Sequence, residues 1–174
     1  MAAPESSSEP APAAQRPLRI AAVCSGNICR SPIAEKVLQR AFTEAGLDDA
    51  VLVESFGTGS WHVGQGANSK AVKALRRAGY PTEHTARQLT ADQLDELDLV
   101  VVADRGHLRQ VQAMAADPSR VRLLRSFDPD GIDRADQEVP DPYYGTDADF
   151  DEVLAMTLAA APGVVEAVRA ELGR

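Results

Sequence analysis

Three observations in the amino-acid sequence predict an α/β fold, a parallel sheet with helices on both faces. Four short apolar runs, Leu18 to Val23, Val51 to Phe56, Leu99 to Ala103 and Val121 to Leu124, are bounded by turn or charged residues and read as strands buried on both faces. Segments with apolar residues at helical spacing lie between those runs. Each strand is thus separated from the next by enough chain for a crossover helix, the connection that parallel neighbours require.

Taken in order, residues Met1 to Pro17 hold Ala, Pro, Ser and Glu without apolar periodicity. That composition cannot offset the entropy of ordering, so residues 1–17 are expected to be a disordered tail and residues 18–174 one domain. After the first strand comes a helix whose apolar face is Ile33, Val37, Leu38, Ala41, Phe42 and Ala45, ending at Gly46. Ser31 reads as its N-cap and Pro32 as a first-turn residue. Helices are expected over Asn68 to Ala78, Arg105 to Ala115 and Phe150 to Ala160, with a last one after Pro162, a residue expected to break or kink the C-terminal segment. The acidic run Asp92 to Asp98 reads as a solvated helix and turn. Ser126 to Tyr144, rich in Asp, Pro and Gly, lacks periodicity, and a long loop inside a compact domain is usually functional or mobile.

Composition narrows the function classes. The 174 residues carry a formal charge of -8, so nucleic acid and anionic membrane surfaces are repelled at long range and any anion site must be local. No apolar run approaches the roughly 18 to 20 residues that cross a bilayer, and the start lacks a basic, apolar leader. The two cysteines, Cys24 and Cys29, are too few and too close for a disulfide framework, and no Cys/His set has zinc spacing. A cytoplasmic monomer without metal, cofactor, nucleic-acid or membrane partner is the expectation. Only Lys36, Lys70 and Lys73 are lysines among 18 basic residues, an arginine bias that suggests a bacterial, high-GC source.

In a parallel sheet the ligand site lies at the carboxyl ends of the strands, beside a helix N-terminus, which directs attention to Cys24-Ser25-Gly26-Asn27-Ile28-Cys29-Arg30-Ser31. A loop of that length curls around one tetrahedral anion, its N–H groups converging with the positive end of the helix dipole behind them. Gly26 and Asn27 tolerate the left-handed conformations such a curl requires. The field that holds phosphate also stabilises a thiolate, so Cys24 is expected to be an ionised nucleophile, and Arg30 offers a planar fork to two phosphate oxygens. The oxygen that leaves phosphorus also needs a proton. Asp141, in Val139-Pro140-Asp141-Pro142-Tyr143-Tyr144-Gly145, is the candidate donor, stiffened by two prolines and flanked by tyrosines whose apolar surface favours the protonated carboxyl. Asp128, Asp130, Asp133 and Asp136 in the same acidic loop are alternatives by residue type, separated from Asp141 only by its Pro-Tyr-Tyr context.

Three blocks, Val23 to Glu35, His84-Thr85-Ala86-Arg87-Gln88 and Asp141-Pro142-Tyr143-Tyr144, make this chain resemble the low-molecular-weight protein-tyrosine phosphatases from about Leu18 to the C-terminus. The resemblance implies a three-layer sandwich of the phosphotyrosine phosphatase I-like type, with four parallel strands in order 2-1-3-4. It implies Cys24 as nucleophile, Arg30 as clamp and Asp141 as acid and then base, acting on phosphotyrosine in proteins. Ser25, Gly26, Asn27, Ile28, Cys29 and Ser31 would surround the phosphate, with Ser31 donating to the thiolate. Ser55 and His84 would support the loop through Asn27, and Trp61 would face Tyr143 and Tyr144 across the cleft. Cys29 would be a reversible redox partner of Cys24. Ser25 is smaller and more polar than the residue frequent there, which bears on substrate preference.

Other functions fit less well. Arsenate reduction needs resolving cysteines downstream, and Cys29 is the sole other thiol. Relatives acting on phosphoarginine carry Thr at the position of Ile28, and an idle phosphotyrosine reader would not need nucleophile, clamp and acid together. No G-x(4)-G-K-[ST] nucleotide loop occurs. His62 and His107 show no partner pattern and read as surface residues.

Overall fold

The chain alternates strand and helix as expected in the computed structural model, which describes residues 15–131 and 135–174. The strands are β1 (Leu18–Cys24), β2 (Val51–Gly57), β3 (Leu99–Val102) and β4 (Val121–Leu123), all parallel in the order β2-β1-β3-β4. The helices are α1 (Arg30–Glu44), α2 (Ser69–Arg77), α3 (Ala91–Asp95), α4 (Arg105–Met114) and α5 (Asp147–Leu172), with 3-10 turns at Pro118–Arg120 and Leu124–Phe127. Of the tail expected over residues 1–17, residues 1–14 lie outside those described. Residues 15–17 are exposed, yet both terminal nitrogens of Arg16 reach Asp98 at 2.9 Å.

The period-two alternation of β1 divides the core. Ile20, Ala22 and Cys24 face a cluster built with α1, α2 and α5, including Ile33, Leu38, Phe42, Leu75, Phe150 and Val164. Ala21 and Val23 face the smaller cluster of Phe56, Leu94, Val100, Val102 and Val111 under α3 and α4. Each such buried aliphatic or aromatic side chain contributes roughly 1.5 to 3 kcal/mol. Burial on both faces holds for β1 and for most of β3, but not for the edge strands: Leu52 on β2 and Arg122 on β4 are exposed.

Two helix expectations change. Helix α1 begins at Arg30 with Cys29 as its N-cap residue, so Ser31 lies inside the first turn and does not cap it. Its hydroxyl is used elsewhere, at the sulfur of Cys24. Helix α5 is continuous through Pro162. The proline removes only the N–H that would donate to the carbonyl of Leu158, a half-exposed residue, while Ala160, Ala161, Val164 and Val165 stay buried on either side. Gly163 permits close approach here, because a Cβ at that position would lie 1.8 Å from the Phe127 carbonyl oxygen. By length and composition α5 is apolar enough to cross a membrane, contrary to the reading of short apolar runs alone. In the fold its apolar stripe is instead buried against α1, α2 and the turn at Leu124–Phe127.

Candidate active site

Strand register brings the site together at the carboxyl edge of the sheet. Val23 pairs with Phe56 on one side and with Val102 on the other, and the Ala103 N–H donates to the Val23 carbonyl at 3.1 Å. The strand ends place Cys24, Gly57 and Asp104 around one point. Val139 N–H donates to the Ala103 carbonyl at 2.8 Å, which straps the segment leading to Asp141 onto the end of β3.

From Cys24 the chain curls through Ser25–Cys29 into α1. Only Asn27 takes a left-handed backbone, with φ of 58°, while Gly26 does not need one. At Gly26 the constraint is space, since a Cβ would come within 2.7 Å of the His62 ring. The buried Asn27 amide donates to Ser31 Oγ at 2.8 Å and to Ser55 Oγ at 3.0 Å, and its Oδ1 accepts the Arg87 N–H at 2.9 Å. Its carbonyl accepts from His84 Nε2 at 2.6 Å. Ser55 and His84 therefore sit where loop-supporting residues were expected. Glu35 backs His84 at 3.8 Å; burial pushes its carboxyl up, but His84 and Lys36 together hold it below the ordinary carboxylate range.

The sulfur of Cys24 lies 3.0 Å from Ser31 Oγ and 3.4 Å from the Ser31 N–H. Since the Asn27 amide already donates to Ser31 Oγ, the Ser31 hydroxyl proton is left to point at the sulfur. Cys29 is buried and its thiol is pushed up to about 12, by burial first and then by the proximity of Cys24 and Asp141. Both cysteines are free.

Arg30 is buried, and its NH1 donates to Asp104 Oδ2 at 2.9 Å and to the Val139 carbonyl at 3.0 Å. That leaves NH2 turned toward Asp141, 3.8 Å from Oδ2. Asp141 is more than half exposed, so the tyrosines do not enclose it, and its Oδ1 accepts the Tyr143 N–H at 3.1 Å. Tyr143 and Tyr144 meet edge to face at 4.8 Å between ring centres. Trp61, 71% exposed, stands at the cleft mouth. Cys24, Ser25, Gly26, Ile28, Cys29, Arg30, Trp61, His62, Asp141, Tyr143 and Tyr144 line one open cleft of about 370 Å³. Of the other loop aspartates, Asp128 and Asp136 accept main-chain N–H groups of Asp130 and Glu138, neither they nor Asp130 lines the cleft, and Asp133 lies outside the described residues.

Three residues of the site were missed by sequence reading. His107 is not a surface residue. It is buried, its Nε2 lies 2.8 Å from Ser25 Oγ, and its Nδ1 lies 3.2 Å from Asp104 Oδ1. Asp104 caps α4 by accepting the His107 N–H at 3.0 Å, and also holds Arg30. Burial pushes the Asp104 carboxyl up, but the His107 N–H, the His107 ring and Arg30 together bring it below its usual value. His62 is likewise part of the cleft, half-buried and 6.1 Å from the Tyr143 ring. Among the described residues no group of three or more His, Cys, Asp or Glu is arranged to hold a metal ion.

Comparison with known proteins adds independent findings. Residues 19–174 match a family model described as "Low molecular weight phosphotyrosine protein phosphatase". The Mycobacterium tuberculosis protein named "Low molecular weight protein-tyrosine phosphatase A" is 47% identical over 158 residues, which cover 91% of this chain and 96% of that one. A Streptomyces coelicolor "Low molecular weight protein-tyrosine-phosphatase" is 45% identical over 157 residues, covering 88% and 95%. Among solved structures, a protein tyrosine phosphatase from Entamoeba histolytica with Hepes in the active site superposes with a TM-score of 0.81 at 26% identity, covering 90% of this chain and 98% of that chain.

Proposed function

This chain belongs to the low molecular weight phosphotyrosine protein phosphatase family, a cysteine-dependent class of enzymes, and from that premise we propose that it hydrolyses phosphotyrosine in proteins through a phosphocysteine on Cys24. One observation carries the reading: the sulfur of Cys24, the free side of the Arg30 guanidinium and the Asp141 carboxyl converge on one cleft bordered by Trp61, Tyr143 and Tyr144. A phosphate seated in the curl of Ser25–Ser31 meets main-chain N–H groups from the loop and the start of α1.

In the first step the Cys24 thiolate attacks phosphorus, an S–P bond forms and the bond from phosphorus to the tyrosyl oxygen breaks, while Asp141 gives that oxygen its proton. Proton transfer of this kind contributes about 100- to 10,000-fold. In the second step Asp141 takes a proton from water, the resulting oxygen attacks phosphorus, and the S–P bond breaks to return the thiolate and inorganic phosphate. Arg30 stabilises charge on the transferring oxygens in both steps, and its tie to Asp104 and Val139 holds the guanidinium in place beforehand. The aromatic residues at the mouth suit an aryl ester. The reading further takes the enzyme as a cytoplasmic monomer whose partners are phosphotyrosine proteins, with Cys29 as the redox partner of Cys24.

The test is a burst of phenol release from an aryl phosphate, expected in the native chain and absent in Cys24→Ser. With Asp141→Ala, turnover of tyrosyl phosphate should fall by about 100-fold or more while an activated nitrophenyl ester loses far less. Equal losses on both esters would remove Asp141 from the acid role, and a burst persisting in Cys24→Ser would remove the phosphocysteine.

A further inference from the structure

Ser25, the buried His107 and Asp104 form a chain that connects the rim of the cleft to the carboxylate that holds Arg30, and His107 itself has no part in the two chemical steps above. Its geometry is unusual in one respect. His107 Nδ1 is buried and, although 3.2 Å from Asp104 Oδ1, makes no well-directed hydrogen bond, whereas Nε2 is well placed against Ser25 Oγ at 2.8 Å.

The state of the ring decides what Ser25 offers the cleft. If Nε2 carries no proton, the Ser25 hydroxyl donates to the ring, and Ser25 turns only lone pairs toward a bound anion. If both ring nitrogens carry protons, Nε2–H donates to Ser25 Oγ, the Ser25 hydroxyl proton is free to point into the cleft, and the ring charge faces Asp104. With a proton on Nε2 alone, the Nδ1 lone pair opposes the Asp104 carboxylate, so the neutral ring favours the first arrangement.

We propose that His107 is a positioning residue whose protonation turns the Ser25 hydroxyl from an acceptor into a donor facing the cleft, so that anion binding and proton uptake at His107 are coupled. The inference rests on the reading of Cys24–Ser31 as the phosphate site. The groups that face the ring are Asp104 at the start of α4, Arg30 from α1, and Glu138 and Asp141 from the segment strapped to β3. Burial lowers the proton affinity of the ring in the free protein and Arg30 lowers it further, against the opposing pull of the three carboxylates. An anion in the loop adds negative charge and an acceptor for Ser25, so it shifts the ring toward its protonated form. By reciprocity, the protonated ring binds the anion more tightly.

Sulfate is the probe, since it stays a dianion throughout the range in which histidine titrates. In the native chain the sulfate inhibition constant should weaken as pH rises from 5 to 8 by about tenfold more than in His107→Asn or Ser25→Ala, the tenfold matching a one-unit change in the histidine pKa on binding. Cys24 and Asp141 are present in all three proteins, so the comparison reads the difference that His107 and Ser25 make. The double variant should behave like either single one. A second measurement needs no substitution: in the native chain, whose histidines number three, the ring resonances of His107 should titrate at higher pH with saturating sulfate than without it. An unmoved His107 titration, or parallel pH profiles in native and variant proteins, overturns the coupling and leaves the hydrolase reading standing. Sulfate that neither inhibits nor protects Cys24 from alkylation overturns both.

Discussion

Replacing Asn27 by Asp keeps the size and shape of the side chain but removes its two donors, which isolates what the amide does for the nucleophile. In the native arrangement Nδ2 donates to Ser31 Oγ at 2.8 Å and to Ser55 Oγ at 3.0 Å, which leaves the Ser31 hydroxyl proton directed at Cys24 Sγ, 3.0 Å away. A carboxylate oxygen in the same place accepts instead. Ser31 then has a stronger acceptor than sulfur beside it, and its proton turns away from Cys24. A hydrogen bond to a charged group is worth about 1.5 to 3 kcal/mol, so the attack step should slow by roughly 10- to 100-fold. The new negative charge beside a thiolate acts in the same direction. The Arg87 N–H keeps its acceptor, and aspartate is among the residues that tolerate a left-handed backbone at φ 58°, so the fold should survive. Single-turnover phosphorylation of Cys24 by an aryl phosphate measures the step directly, with circular dichroism to confirm folding. A folded Asn27→Asp protein that is phosphorylated within threefold of the native rate would refute the argument that Asn27 aims the Ser31 hydroxyl.

Three further outcomes are expected. At pH 7 to 8 an alkylating reagent should modify Cys24 and spare Cys29, because a thiol with its pKa pushed up to about 12 is protonated at every lower pH and reacts only as pH nears that value; fragment-ion mass spectrometry of the Ile20 to Arg30 tryptic peptide locates the adduct. Lys70→Met removes the donor that holds the Gly145 carbonyl at 2.6 Å and so loosens the segment carrying Asp141, Tyr143 and Tyr144; kcat on tyrosyl phosphate should drop a few-fold, and kcat on an activated nitrophenyl ester much less. Gly163→Ala pushes a methyl group into the Phe127 carbonyl, 1.8 Å from its ideal position, and an overpacking penalty of about 1 to 3 kcal/mol should lower Tm by roughly 3 to 10 °C in a thermal melt.

Much of the fold was legible because its signals are local. The strands announce themselves as apolar runs of Val, Leu, Ile and Ala, and the ends found for them lie within about a residue of the runs. The loop proposed to hold phosphate, Cys24 to Ser31, could be proposed for the same reason, being one uninterrupted stretch whose residue types suit that chemistry. Where reading failed, a local rule met a tertiary exception. Pro162 obeys the rule for a helix breaker, but Leu158, the residue whose partner it removes, is half exposed and the flanking apolar side chains are buried, so α5 runs on. Ser31-Pro32 has the composition of a helix start, yet the serine is recruited to the sulfur and the helix begins two residues sooner. Asp104 caps α4, but its hold on Arg30 spans 74 positions and has no local signal.

By itself the sequence determined the layer architecture, the identity of the nucleophile, clamp and acid as expectations, and the aromatic character of the cleft mouth, because each depends on residue type and short-range spacing. Tertiary structure alone decided which groups stand behind them. Asp104 and His107 lie 74 and 82 positions from the residues they touch, Arg30 and Ser25, and nothing in their own neighbourhood records it. They arrive because β1 and β3 pair in parallel with Val23 opposite Val102, so that the chain leaving β3 passes beside the chain leaving β1. Strand register is a property of the packed sheet, fixed by the burial of both faces at once, and only when it is fixed do these side chains become neighbours.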